Sequence, residues 1–492
     1  MRTKLKAKYI IGFEHGRHVY YRNAEIVYED ARILYVGPNF QGDVDSEIDH
    51  GNALISPGFI DLDALGEVDH WFMSCELPDG MENSLLWSEA YYEAGSEDGN
   101  PPEQEDFKSL FAYAELLKNG ITTAMPITSV LSKRWAETYE EIEAAARNAG
   151  TLGLRVYLGP SYQAGIRVVA PDGTVRVVFR EEEGRRGLER AIWFGEEYGG
   201  AYSGLVNAVM VPERIETQTE EILRASQKAA DSLHCPIRLH AAQGAFEYRW
   251  ITEHTGRTPI QYLCDIGFLS ERTLIPHAYY TQGYSGIEHP LPGDDVSLLA
   301  ESGTSVIHCP LVYARDGMAL ESFSRYRAAG VNMAMGTDTF PPDFLLNIRL
   351  GSFFARRVSG TLAGNRYADF FEAATLGGAR ALGRDDLGRL CEGACADIIV
   401  FDLGAPDIGP VDDPLRTLIN SGTSRELIKT IVNGKTVMEN RKILALADTQ
   451  GGEMLARAEA YSRAMKQSYL ERDYLCHSAA ELVPPSFEDA TS

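Results

Sequence analysis

Pro57-Gly58-Phe59-Ile60-Asp61-Leu62-Asp63-Ala64-Leu65 decides the reading of this chain. An apolar run turns through Pro57-Gly58 and re-emerges as a strand that carries acids, which is how an α/β barrel opens. Downstream, apolar strand-like runs at 121–125, 154–159, 205–211, 236–240, 273–277, 305–308 and 331–338 bring the count to eight. Helix-like stretches separate them, such as 107–118, which is amphipathic and ends at Asn119-Gly120, a helix stop. Strand and helix in alternation predict a parallel series, and eight of each predict a (β/α)8 TIM barrel. Several later strands end in His240, His277, His308 or Asp338. Polar groups at the carboxyl ends of barrel strands are where this architecture keeps its chemistry.

The flanks read differently. Short, partly alternating strands fill 8–56, and two more lie at 396–402 and 428–437, the second with an Asn433-Gly434 hairpin turn. The early unit is too small to bury a sound core alone, so the two pieces are expected to form one discontinuous β-sandwich from both chain ends. The expected organisation is 1–56 and 386–445 for the two β parts, 57–385 for the barrel, and 446–492 for a C-terminal helix and tail. The stretch 74–106 is rich in Glu, Asp, Gly and Pro, with Trp87, Tyr91 and Tyr92 inserted. A long loop directly after the first strand is expected to act as a lid over the site, with Trp87 among the substrate-binding residues.

Bulk properties exclude several classes. Among 492 residues the formal net charge is -25, which argues against nucleic acid as a partner, because a phosphate backbone calls for clustered Lys and Arg. No apolar run approaches the roughly 18 residues of a membrane span. The start, Met1-Arg2-Thr3-Lys4-Leu5-Lys6, is basic but leads into a strand-like run and not a signal-peptide core. Seven cysteines lie scattered without metal-type spacing, Cys391 and Cys395 included, and a cytoplasmic location is expected.

The opening stretch resembles the first barrel strand of the amidohydrolase superfamily, where Pro-Gly-Phe-Ile-Asp is followed by one residue and then His-x-His, both histidines binding a catalytic metal. Other segments extend the resemblance over nearly the whole chain. Leu239-His240-Ala241-Ala242-Gln243 is similar to the fifth-strand motif of the cytosine deaminase, guanine deaminase and triazine chlorohydrolase branch. His277 after Leu274-Ile275-Pro276 resembles its sixth-strand histidine, His308-Cys309-Pro310 its seventh-strand motif, and Gly336-Thr337-Asp338 its eighth-strand aspartate. The segments 373–383 and 393–398 match as well. The resemblance implies one divalent metal ion, zinc first and Fe, Mn or Co as alternatives, held by His240, His277 and Asp338. Asp338 would also handle the proton of the attacking water, with His277 beside it. A homodimer or higher homo-oligomer is implied too.

The departures fall at the chemistry. The two first-strand histidine positions are Asp63 and Leu65. Asp63 can offer the metal an oxygen or bond an arginine; Leu65 can ligate nothing, and His70 could reach back from the loop. The branch's proton-shuttling glutamate is Gln243, and an amide cannot exchange a proton near neutral pH. Glu247 reads as structural. The leading expectation is therefore a metal-dependent hydrolase of carbon–nitrogen bonds, of amide, carbamate or urea type, in a small and even heterocyclic nitrogen compound. Asp338 would be the general base, and Gln243 and His308 would contact the substrate. Alternatives are a deaminase or chlorohydrolase of an N-heterocycle such as a triazine or pyrimidine, and an inactive ligand-binding or partner subunit.

Overall fold

A computed structural model gives the three-dimensional structure and describes residues 1–68, 70–94, 102–128, 137–315, 317–321, 323–447 and 451–487. All eight expected strands are present. Phe59–Leu65, Ile121–Ile127, Arg155–Leu158 and Val206–Ala208 form one four-stranded parallel sheet in chain order. Ile237–Arg238, Thr273–Pro276, Ser305–His308 and Asn332–Met335 form a second. Parallel bridges from Met210 to Ile237 and from Arg214 to His240 tie one edge of the first sheet to the second. At the other edge the Asp338 backbone N–H donates to the Asp63 carbonyl at 2.7 Å. The fold is thus mixed α/β with parallel sheets.

Every residue of Phe59–Leu65 is buried, as expected of a parallel strand covered on both faces. The connecting helices are set by local chemistry. Tyr139–Leu152 begins at a reciprocal cap between Thr138 and Glu141 and ends at Gly153, whose φ of 78° suits a residue without Cβ. The turn ahead of the first strand is tight for another reason: a Cβ on Gly58 would lie 2.1 Å from Oγ1 and 2.3 Å from Cγ2 of Thr122. Thr122 is buried and β-branched, so it has little room to rotate away. Gly58→Ala is expected to destabilise the protein by about 1–3 kcal/mol, read as a lower urea midpoint with unchanged slope.

Early and late segments do share one β unit, hydrogen-bonded as a single path of strands. Its order is Lys442–Ile443, Lys435–Glu439, Leu427–Val432, Ile398–Asp402, Ala53–Pro57, Arg2–Glu14, Arg17–Glu29 and Arg32–Gly37, with Ser46–Asp49 paired beside Arg2–Glu14. Where short strands were expected from residue 8 onward, Arg17–Glu29 is one long strand, and the basic start belongs to another, Arg2–Glu14. Lys4 and Lys6 pair with Glu25 and Glu47 on neighbouring strands, which is why charged residues sit within this sheet. The Asn433-Gly434 turn is present, with φ of 48° and 73°. Arg155, buried at the base of its strand, bonds Asp397 and Asn433 and so joins the β unit to the parallel strands.

The stretch after the first strand lies partly outside the described residues. Within it, Trp87–Ser88 pairs in parallel with Val168 and Val169, and Ser88 caps the helix Glu89–Glu93. Among the described residues no helix is long and apolar enough to cross a membrane.

Candidate active site

Three side chains expected from the sequence meet at the strand ends. Asp63 projects from the first strand, His240 follows Ile237–Arg238, and His277 follows Thr273–Pro276. One ligand atom from each lies within 4.8 Å of the others, and all three residues are buried. Asp63 Oδ2 is 3.7 Å from His240 Nε2 and 3.6 Å from His277 Nε2, and Asp338 Oδ2 is 3.6 Å from His277 Nε2. The backbone departs from regular strand geometry to aim them: φ is 54° at Ala242, 68° at His277 and 44° at Asp338, a left-handed region costly for residues with a Cβ.

Second contacts fix these groups. His240 Nδ1 donates to the Glu213 carbonyl at 3.1 Å, which turns Nε2 toward Asp63. Asp61 accepts from the Thr337 backbone N–H at 3.0 Å and its hydroxyl at 2.6 Å, clamping the first strand to Gly336-Thr337-Asp338. Gly336 leaves room for that clamp, since a Cβ there would lie 2.6 Å from the Asp63 Cβ. Cys309 Sγ approaches Asp63 Oδ2 at 3.7 Å.

Burial and charge set the protonation states. Burial would raise Asp63, but His240 and then the Arg238 charge outweigh it and hold the carboxyl below the usual carboxylate range. His277 is pushed well down by burial, so its ring is neutral, the form that ligates a metal. Asp338 is pushed well up, by burial and then by the Asp63 charge. Asp61 rises to about 7, mainly from burial, against its bonds from Thr337.

The donor set suits a divalent cation. Both ring nitrogens of His277 and Asp63 Oδ1 are buried without a hydrogen-bond partner. Two imidazoles and a carboxylate are the ligand types of zinc and related ions. Buried polar atoms are ordinarily paired, so the orphaned His277 Nε2, which faces Asp63 and Asp338, is explained by an ion that would complete it.

Other sequence candidates stand elsewhere. Leu65 is packed in the core. His70 stacks on Phe340 with ring centroids 4.5 Å apart and does not join the ligand cluster among the described residues. His308 is buried among Tyr279, Phe323 and Phe370, and burial lowers its pKa to about 3. Trp87 is buried against Tyr91 and Tyr92, with the Arg472 guanidinium 5.2 Å from its ring. Both residues are packed against protein side chains.

Gln243 Oε1 accepts from Arg214, and its amide also bonds the Tyr313 hydroxyl. Glu247 accepts from the backbone N–H groups of Ala242 at 2.5 Å and Gln243 at 2.9 Å, the structural role read from the sequence. Its pKa rises to about 8, through burial and then the Glu216 charge.

Sequence reasoning missed Arg238, which is fully buried and lies 3.4 Å from Asp63 Oδ1. Its signal was available: residues two apart on a strand share a face, so an arginine two positions before His240 points where His240 points. Asp61, Arg214 and Tyr313 were missed because their partners are distant in sequence.

The amidohydrolase family pattern matches residues 54–437, and the chain belongs to the amidohydrolase family. It is 29% identical over 299 residues to a 5-methylthioadenosine/S-adenosylhomocysteine deaminase of Halobacterium salinarum, covering 60% of this chain and 67% of that protein. Among solved structures it is similar to an adenosine deaminase from Xanthomonas campestris with bound zinc, at a TM-score of 0.76, 20% identity and coverage of 94% and 98%. It also resembles atrazine chlorohydrolase of Arthrobacter aurescens complexed with zinc, at a TM-score of 0.73, 21% identity and coverage of 94% and 100%. The expected hydrolase of carbon–nitrogen bonds, with deaminases among its relatives, is borne out at this level.

Proposed function

We propose that the chain is a metal-dependent hydrolase that cleaves an amide-, carbamate- or urea-type carbon–nitrogen bond of a small nitrogen compound, heterocycles included, with Asp338 as general base. The meeting of Asp63, His240 and His277 within 4.8 Å carries this reading. A divalent cation, zinc first and Fe, Mn or Co otherwise, would supply Lewis acidity and a readily deprotonated water there. Asp63, His240 and His277 would hold it, with Asp338 alongside. Asp338 takes the water proton and returns it to the leaving nitrogen, a task suited to a carboxyl whose burial and Asp63 neighbour make it more basic. Gln243, oriented by Arg214, hydrogen-bonds a substrate carbonyl or amide, while His308 and Trp87 shape the site from behind.

The same reading includes closure of the two parallel sheets into a (β/α)8 barrel, supported by the links at both their edges, and the division at 56, 385 and 445. It includes a homo-oligomer, supported by exposed Phe353 and Val358 on the helix Phe344–Ser359 and Leu362 after it.

Metal analysis of the purified protein tests the proposal: about one ion per chain is expected, whereas metal-free protein that stays inactive on reconstitution would favour a ligand-binding or partner subunit. A second reading, deamination of an amino-heterocycle, is favoured by the names of the relatives. Gln243→Glu separates the two. A glutamate there would pair with the Arg214 guanidinium and stay ionised, a poor acid, so turnover is expected to be unchanged or reduced. A strong gain on an amino-heterocycle that the wild type already deaminates would establish the second reading.

A further inference from the structure

The two oxygens of Asp63 face different neighbours. Oδ2 faces the His240 and His277 nitrogens at 3.7 and 3.6 Å, and Oδ1 faces Arg238 Nη1 at 3.4 Å. Arg238 is only 1% exposed, and its guanidinium donates to the carbonyls of Leu62 at 3.3 Å, Met125 at 2.6 Å and Pro126 at 3.3 Å. Those carbonyls belong to Phe59–Leu65 and Ile121–Ile127. The guanidinium is therefore fixed to the same backbone that carries Asp63. A carboxylate can bind a cation through one oxygen or both, and two-oxygen binding suits larger, harder ions with many oxygen ligands, whereas zinc is content with four donors.

We propose that Arg238 is a positioning residue that restricts Asp63 to one-oxygen ligation and so biases the site toward a four-ligand ion such as zinc. The inference rests on the reading of Asp63, His240 and His277 as a metal centre. Oδ1 takes no hydrogen bond but lies against the charge of a rigid guanidinium, and Oδ2, turned to the two histidines, is the oxygen offered to the ion. The positive charge behind the carboxylate also offsets the negative charge that an aspartate carries and an imidazole does not. Without Arg238, the carboxylate is free to turn and chelate.

The test is competition against a chromophoric chelator, which gives zinc and manganese dissociation constants for the wild type, Arg238→Gln and Arg238→Lys. Both ions carry the same charge, so loss of the Arg238 charge shifts both affinities alike, while a change in the number of Asp63 oxygens moves their ratio. The preference for zinc over manganese is expected to fall by about tenfold or more in Arg238→Gln, and by less in Arg238→Lys, which keeps the charge but not the fork. A smaller change in Arg238→Gln, with one ion still bound, overturns the role of Arg238 and leaves the metal centre standing. A wild type that binds neither ion overturns both. Should Arg238→Gln not fold, a crystal structure of the zinc-loaded wild type decides. One Asp63 oxygen at about 2.0–2.2 Å from zinc, with the other on Arg238, is expected, and two bonded oxygens overturn the inference.

Discussion

Asp338→Asn is expected to lower turnover by roughly 10²–10⁴-fold, the usual worth of positioned general acid–base assistance. The substitution keeps the shape of the side chain and removes its ability to take a proton. Asp338 stands 3.6 Å from His277 Nε2, beside and not within the Asp63, His240 and His277 cluster, so those three still hold the ion. The combination is diagnostic: metal content stays near the wild-type value while amine or ammonia release from the best wild-type substrate collapses. A variant that keeps its ion and more than about a tenth of the wild-type rate would show that another group moves the proton, since that loss is below the usual worth of a general base.

His277→Ala is expected to act on the ion itself, weakening its binding by about 10²-fold or more, beyond the effect of losing an outer-shell partner. His277 is completely buried, and neither ring nitrogen has a hydrogen-bond partner. Within the protein alone the imidazole contributes packing but no hydrogen bond, and its Nε2, which faces Asp63 and Asp338, is best accounted for by a cation. Thermal unfolding reads this without any substrate. Wild-type protein should gain about 2.7 kcal/mol of stability at a free zinc concentration of about 100 times Kd, and the variant should gain almost none at the same concentration. Equal stabilisation of the two would place the ion elsewhere.

Much of this was legible in the sequence because periodicity and position carry it. The eight strands announce themselves as apolar runs, and His240, His277 and Asp338 were found because polar residues closing such runs are conspicuous. Asp63 was legible as one of two possibilities, ligand or arginine partner, and the structure puts one of its oxygens beside Arg238 and the other beside the two histidines. Its guanidinium came from within a strand and not from a loop, because Arg238 shares a face with His240. Trp87 is packed within the chain for a physical reason. Large aromatics in an acidic loop must be covered, and here Tyr91, Tyr92 and Arg472 cover them. The long strands Arg2–Glu14 and Arg17–Glu29 were fragmented in sequence because Lys4, Lys6 and Glu25 break the apolar pattern and find partners only across the sheet.

The single path of strands joining early and late segments has a consequence for how the protein is made. Ala53–Pro57, which runs directly into the strand bearing Asp63, pairs with Arg2–Glu14 on one side and with Ile398–Asp402 on the other. On a ribosome adding roughly 5–20 residues per second, the second partner emerges some tens of seconds after the first. During that interval one edge of a buried apolar strand is uncovered, the condition under which nascent chains pair wrongly or aggregate. Covering the second edge of Ala53–Pro57 thus becomes a late event of biogenesis, timed by the arrival of residues 398–402.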